Sequence, residues 1–235
     1  MISVIVPTMW KYPPFLDFLH YVVKLDVIEE VIIINNNVEE TPSNKILDHA
    51  KIKMLTYGNN IYVNPAWNIG VNQSICDIVC ILNDDMQFDL RLFYKIDEFM
   101  TPDMGAIGLC TGIVEYGQTP ITTGNIDFEP FTNQNCEGFG ELMFVHKRHW
   151  RDIPAGLDIG FGDNFIFDYY HFHQFQNYFI TNMWHHHGKS VTMGHISTLD
   201  GHDTQSIYHR EKLLYEQIRA EMYHTSFIRN LRVIG

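Results

Sequence analysis

The chain has 235 residues, 46% of them hydrophobic, and its 28 acidic and 16 basic residues give a formal net charge of −12. This composition excludes disordered and collagen-like proteins, and the length fits one ordinary α/β domain. The acidic balance argues against a nucleic-acid or anionic membrane surface, because phosphate backbones require a basic face. No signal peptide or membrane-spanning window is recognisable, so we expect a soluble, cytoplasmic protein.

The first half of the chain alternates strand-like and helix-like segments. The apolar runs SVIVP, EEVIIINN, KIKMLTY, DIVCIL and GAIGLC predict five buried strands. Amphipathic stretches predict helices over 13–24, 43–50, 64–75 and 89–99. Strands that alternate with helices form βαβ units, so we predict an α/β fold with a Rossmann-like, mainly parallel central sheet and helices on both faces.

The second half of the chain is less regular. Periodicity fades over 111–137, and a stretch of this length in a compact domain is typical of a functional loop. ELMFVHKRHW then predicts a strand and the start of a helix, and GLDIGFGDNFIFDYYHF predicts a Gly-rich turn that leads into a helix. A final helix is predicted over 205–225, with Leu214, Ile218 and Met222 in one apolar stripe.

Polar residues follow several of the predicted strands, at Thr8, Asn35 to Asn37, Asn59 and Asn60, and Asn83 to Asp85. In parallel sheets, ligands bind beyond the carboxyl ends of the strands. The adjacent carboxylates of Asp84 and Asp85 suit Mg²⁺ or Mn²⁺, which bind hard oxygen ligands. The alternative is a turn or helix cap, since Asp and Asn are favoured at both.

These segments resemble a known family, the GT-A glycosyltransferases, and especially the inverting, family-2-like nucleotide-sugar transferases of bacterial and viral type. The resemblance runs from residue 1 to about 190. ISVIVPT is similar to the opening strand of that family, VIIINNN to its second strand, and NPAWNIGVNQSICDIVCILNDDM to its N-x-G stretch, strand and DXD metal motif. The chain departs from the pattern at Asn83, where the family has a first carboxylate.

The resemblance implies a Mn²⁺ or Mg²⁺ cofactor bound by Asp85, with Asp84 contributing in part. It also implies a histidine from WHHHGKS, and the spacing to Gly188 favours His186 first and His185 second. Because side chains alternate along a strand, only His185 and His187 could share one face. A polar loop of solvated histidines is the alternative.

The resemblance also implies a nucleotide site and an acceptor site. An amide can meet the donors and acceptors of a uracil ring as well as a carboxylate can. The implied nucleotide-binding residues are Pro7, Thr8, Asn36, Asn37, Asn68, Asn83 and Asp84, with Lys11 and Lys189 as the nearby cations. Trp184 and Asn164 are the candidates for contact with the sugar or the acceptor. An ordinary Asn-rich turn is the alternative for residues 35–37.

GLDIGFGDNF resembles the family segment that opens a helix and supplies the catalytic carboxylate, which places Asp163 in the role of general base. A carboxylate at hydrogen-bond distance can accept the proton of an attacking sugar hydroxyl. The alternative is a helix cap after a glycine turn.

The function expected from these features is metal-dependent transfer of a sugar from a nucleotide-diphospho-sugar, a UDP-sugar first, to a hydroxyl acceptor with inversion. We expect one GT-A domain over 1–235, with a nucleotide-sugar half (1–110), an acceptor and catalytic half (111–204) and a C-terminal helix (205–235). A nucleotidyltransferase is one alternative, although PTMWKYPP lacks the glycines of the usual phosphate loop. A non-catalytic carbohydrate-binding module on the same fold is the other.

Overall fold

The computed structural model of the protein describes residues 1–109, 125–131, 139–188, 198–199 and 202–233. The strands there are β1 (Ile2–Thr8), β2 (Ile28–Asn35), β3 (Ile52–Thr56), β4 (Ile78–Leu82), β5 (Met86–Phe88), β6 (Met104–Gly108), β7 (Asp127–Pro130), β8 (Leu142–His146), β9 (Gln176–Thr181), β10 (His185–His187), β11 (Thr198–Leu199) and β12 (His202–Asp203). The helices are α1 (Pro14–Val22), α2 (Val63–Gln73), α3 (Arg91–Phe99), α4 (Gly162–Phe172) and α5 (Thr204–Val233). None of these helices is long and apolar enough to cross a membrane.

Eight strands form the central sheet in the order β3-β2-β1-β4-β8-β6-β9-β7. Strands β1 to β4 pair in parallel, and so do β6 and β9. Strand β8 runs antiparallel between β4 and β6, and β7 runs antiparallel along β9. The predicted α/β fold with a mainly parallel sheet is therefore confirmed.

The sheet is covered on both faces, as its continuous apolar strands require. Along β1, which is buried throughout, Val4 and Val6 pack into one hydrophobic cluster together with α1 and α3. Ile5 points the other way, into a second cluster that contains α2 and α4. A Cβ atom on Gly70 would lie 2.2 Å from Cγ2 of Ile5, so α2 lies directly against β1 because residue 70 has no side chain.

The C-terminal helix packs against this second cluster through the predicted stripe of Leu214, Ile218 and Met222. It begins at Thr204 and continues to Val233, beyond the predicted end at 225.

The predicted helix over 43–50 is wrong, because the structure has only a 3-10 turn at Lys45–Asp48. The side chain of Asn44 accepts a hydrogen bond from the Ile46 N–H at 3.0 Å and caps that turn, and β3 begins at Ile52. Much of the predicted 111–137 loop lies outside the described residues. The part that is described, 125–131, contains β7.

Candidate functional site

The two adjacent carboxylates lie in the turn that joins β4 to β5, at the carboxyl end of β4. The backbone N–H of Asn83 donates to the carbonyl of Glu141 at 3.0 Å, and its own carbonyl accepts from Met86 at 3.3 Å. Because β1 is the parallel neighbour of β4, its last residue, Thr8, reaches this turn and its hydroxyl donates to Oδ2 of Asp84. The predicted convergence of these strand ends is therefore present.

The environment of Asp84 disfavours its negative charge. Burial raises its pKa, the hydrogen bond from Thr8 lowers it, and the charge of Asp85 raises it again, with a net pKa of about 6. A cation placed beside this carboxylate would stabilise its ionised form, so the site favours a cation.

The histidine run forms β10, which pairs antiparallel with β5 and so lies beside the acidic turn. Nε2 of His187 is 3.1 Å from Oδ1 of Asp85, and its Nδ1 is 3.3 Å from Oε1 of Glu141. The N–H of Gly188 donates to the carbonyl of Asp85 at 2.8 Å, which fixes the end of β10 on this turn.

The two predicted metal-binding histidines lie on different faces of β10, His185 on the same face as His187 and His186 on the opposite one. The side chain of His186 is exposed, and the alternation of the strand turns it away from the face that carries His187. Nδ1 of His185 lies 3.3 Å from the carbonyl of Met183. Parity along β10 separates His186 from His187, and of the two histidines that share a face it is His187 that contacts Asp85.

The protonation of His187 depends on these carboxylates. Burial lowers its pKa, but the hydrogen bond to Asp85 and the charges of Asp85 and Glu141 raise it, so that the pKa lies above its ordinary value.

The donor set of this turn fits a divalent ion of the Mg²⁺ or Mn²⁺ type. Two ligands about 2.1 Å from one cation and at right angles are about 3 Å apart, and Nε2 of His187 and Oδ1 of Asp85 are separated by 3.1 Å. Within the described part of the chain, no cluster of three or more His, Cys, Asp or Glu side chains has the arrangement of a metal site. An ion held by one or two protein ligands and the phosphates of a substrate needs no such cluster.

Asp163 is the second residue of α4 and follows Gly162, which is preceded by Phe161 with a left-handed backbone of φ 59°. Its Oδ2 accepts the N–H of Gly140 at 3.1 Å, and its Oδ1 accepts the N–H of Asn164 at 2.9 Å. Gly140 precedes Glu141, which contacts the acidic turn through its carbonyl and the histidine through its carboxylate. Two consecutive residues therefore connect Asp163 with the acidic turn.

Two of the predicted nucleotide-binding amides are engaged by the protein's own backbone. Oδ1 of Asn68 accepts the Ile153 N–H and its Nδ2 donates to the Ile153 carbonyl, both at 2.9 Å. Oδ1 of Asn36 accepts the Ile61 N–H at 3.2 Å, and its Nδ2 donates to the Tyr62 carbonyl at 3.3 Å. Asn68 thus holds the loop at Ile153 against α2, and Asn36 holds the residues before α2 near the end of β2.

The remaining predicted nucleotide, sugar and acceptor residues lie in different parts of the structure. Pro7 is buried within β1, Asn37 is half-buried beyond β2, and Lys11 pairs with Glu40 at 3.0 Å. Trp184 is partly exposed just before β10. Asn164 lines a cavity of about 290 Å³ together with aromatic side chains that include Phe139 and Phe167. Lys189 lies outside the described residues.

Sequence reasoning missed Glu141 and Tyr12. Glu141 comes to the acidic turn because β8 inserts antiparallel beside β4, and the order of the chain does not reveal this neighbour. The ring of Tyr12 packs against Gly188, where an added Cβ would lie 2.7 Å from it. Burial, and then the charge of Asp85, raises the pKa of Tyr12. Neither residue lies in one of the short motifs on which the resemblance to the family depends.

No protein-family model matches the chain, and no curated protein sequence matches it. Solved structures do. The mannosyltransferase PcManGT from Pyrobaculum calidifontis, in complex with GDP-Man and Mn²⁺, is 17% identical with a TM-score of 0.55, over 75% of this chain and 53% of that one. TarS 1–349 from S. aureus is 14% identical with a TM-score of 0.54, over 76% and 59%. GalNAc-T7 with UDP, GalNAc and Mn²⁺ is 14% identical with a TM-score of 0.59, over 80% and 43%.

This likeness establishes the fold, which is the GT-A fold of glycosyltransferases, as the sequence predicted. The chain spans about half the length of each of these structures.

Proposed function

We propose that the protein is a metal-dependent glycosyltransferase that moves a sugar from a nucleotide-diphospho-sugar to a hydroxyl acceptor. The observation that carries this proposal is the link through Gly140 and Glu141, which joins the acidic turn of Asp85 to the carboxylate of Asp163. One end of this arrangement suits a cation with its diphosphate, and the other suits proton transfer.

On the donor side, Asp85 and His187 would hold Mn²⁺ or Mg²⁺, with Asp84 beside them. The ion would offset the charge that develops on the leaving nucleoside diphosphate. Thr8, the last residue of β1, and Asn37, just beyond the end of β2, would contact the nucleoside. We propose UDP as the nucleotide, and the GDP-Man and UDP complexes of the neighbouring structures make GDP the comparison to include.

On the acceptor side, Asp163 would accept the proton of the attacking hydroxyl. The N–H groups of Gly140 and Asn164 each donate to one oxygen of its carboxylate, which fixes the orientation of the group. Attack on the anomeric carbon from the side opposite the diphosphate inverts its configuration. Trp184 and Asn164 would contact the sugar or the acceptor.

The binding test is titration calorimetry of UDP and of GDP, each with and without Mn²⁺. We expect UDP to bind only weakly without the metal and at least about tenfold more tightly with it, because the ion links the acidic turn to the diphosphate. Binding that is absent or indifferent to Mn²⁺ for both nucleotides would count against a metal-dependent transferase.

The catalytic test is Asp163→Asn, with the exposed Asp17→Asn in α1 as the matched control. Loss of a general base lowers turnover by about 10²–10⁴-fold, so we expect that loss for Asp163→Asn with UDP binding in Mn²⁺ changed less than twofold. The control should retain wild-type turnover. Transfer by Asp163→Asn at a near-normal rate would remove Asp163 from the base role.

A further inference from the structure

The turn that precedes Asp163 is held from two opposite sides. From α2, Nδ2 of Asn64 donates to the carbonyls of Leu157 and Gly160 at 3.1 and 3.0 Å, and its backbone N–H donates to the carbonyl of Asp158 at 3.0 Å. This side of the turn thus supplies acceptors to a single buried residue. The N–H groups of the same turn point the other way.

Those N–H groups meet the carboxylate of Glu211, which lies on α5 and is completely buried. Its Oε1 accepts the N–H of Asp158 at 3.1 Å, and its Oε2 accepts the N–H groups of Ile159 and Gly160 at 3.2 and 2.7 Å. Three consecutive backbone donors therefore converge on one buried carboxylate and give both of its oxygens hydrogen-bond partners.

Other contacts also attach α5 to the rest of the domain. Asp168 of α4 accepts the hydroxyl of Tyr215 at 2.5 Å, and its Oδ2 is 2.8 Å from Nε of Arg219. The rings of Tyr208 and Tyr215 lie 4.8 and 5.3 Å from the ring of Phe161. Burial of a carboxylate is costly. Because α5 already has these other contacts, we expect a role of Glu211 besides attachment of the helix.

We propose that Glu211 is a positioning residue for Asp163. By holding the N–H groups of Asp158 to Gly160, it sets the path of the turn through the left-handed Phe161 into α4. That path determines where the Asp163 carboxylate lies relative to Gly140 and the acidic turn. This inference rests on the proposed role of Asp163, and it assigns a catalytic contribution to the C-terminal helix.

The test is Glu211→Gln, which keeps the size of the side chain but leaves one acceptor oxygen for three donors. The matched control is Glu216→Gln, an exposed glutamate on the same helix. A displacement of about 1 Å at a catalytic group lowers turnover by up to about a hundredfold. We expect kcat to fall by at least about tenfold in Glu211→Gln, with KM for the sugar nucleotide and the Kd of UDP with Mn²⁺ changed less than twofold.

The two substitutions should also be non-additive. If Glu211 acts through Asp163, adding Glu211→Gln to Asp163→Asn should cause little further loss of turnover. An unchanged kcat in Glu211→Gln would overturn the proposal. A parallel fall in kcat, nucleotide affinity and melting temperature would also overturn it, because Glu211 would then support only the fold.

A second measurement separates this inference from the proposed function. In protein labelled with ¹³C at aspartate carboxyl groups and ¹⁵N at amides, Glu211→Gln should shift the amides of Ile159 and Gly160 and the carboxyl resonance of Asp163. Glu216→Gln should leave all three in place. If the wild type turns over no nucleotide sugar, the proposed function fails. The chemical shifts still test whether Glu211 positions the Asp163 carboxylate. An unmoved Asp163 resonance would overturn the positioning role.

Discussion

Replacement of Asp84 by asparagine should stabilise the metal-free protein at neutral and alkaline pH. Burial and the charge of Asp85, opposed by the hydrogen bond from Thr8, raise the pKa of Asp84 from 3.8 to about 6 in the folded state. One pKa unit corresponds to about 1.4 kcal/mol, so ionisation of Asp84 costs the folded protein about 3 kcal/mol. Asparagine keeps an oxygen that can accept the Thr8 hydroxyl and carries no charge.

The sign of the pH dependence follows from the direction of this shift. Because the folded-state pKa lies above the unfolded value of 3.8, the folded protein retains a proton that the unfolded chain releases. The contribution of Asp84 to stability is thus largest below pH 3.8 and is lost as the pH rises through about 6. Relative to the wild type, Asp84→Asn should gain less than about 1 kcal/mol near pH 4 and about 3 kcal/mol near pH 8.

Urea unfolding in EDTA, followed by tryptophan fluorescence at several pH values, measures this difference. The exposed Asp17→Asn is the control, because any loss of one negative charge relieves general repulsion in a chain of net charge −12. Mn²⁺ and UDP should stabilise the folded wild type because they bind only the folded state, and they should stabilise Asp84→Asn less. A gain by Asp84→Asn that is absent at pH 8, or that does not change with pH, would refute the reasoning.

Three further substitutions, the first with a control on the opposite face of β10, test the site and its support. His187→Ala should weaken Mn²⁺ binding in the presence of UDP by at least about tenfold in calorimetry, whereas His186→Ala on the opposite face of β10 should leave it unchanged; equal effects would contradict the assignment. Gly162→Ala places a Cβ 2.1 Å from Oδ1 of the buried Asn64 in α2 and should lower both kcat and the melting temperature. Gly70→Ala places one 2.2 Å from the Cγ2 atom of Ile5 and should cost about 1–3 kcal/mol in urea unfolding while any residual folded protein keeps its nucleotide affinity.

The sequence predicts the strands over residues 1–109 well, because the residue pattern that forms them is local. Apolar runs alternate with amphipathic segments, and parallel strands bring their carboxyl ends to one edge. The proximity of Thr8 and Asp84 follows from that rule alone. A prediction from residue pattern fails at 43–50, where a local side-chain cap replaces the helix.

The rest of the site depends on long-range pairing, which residue pattern does not encode. The choice of His187 over His186 is decided by the register of β10 on β5, where a shift of one residue exchanges the two faces. Asn68 has the spacing of a ligand-binding residue, but its amide meets the backbone of Ile153 instead. Glu211 lies in a helix that periodicity describes only as amphipathic, and its role depends on the turn it caps.

The register of β8 sets the position of the acidic turn relative to Asp163. Leu142 pairs with Leu82 at the end of β4, so the preceding Glu141 reaches the acidic turn and Gly140 reaches Asp163. A one-residue slip of β8 would turn the Glu141 side chain to the other face of the sheet and would shift Gly140 by about 3.3 Å. Since Leu142 and Phe144 pack in one hydrophobic cluster and Met143 and Val145 in the other, such a slip would exchange the two sets and disrupt the packing of both clusters. The hydrophobic core of the sheet therefore fixes the distance between the candidate metal ligands and the candidate base.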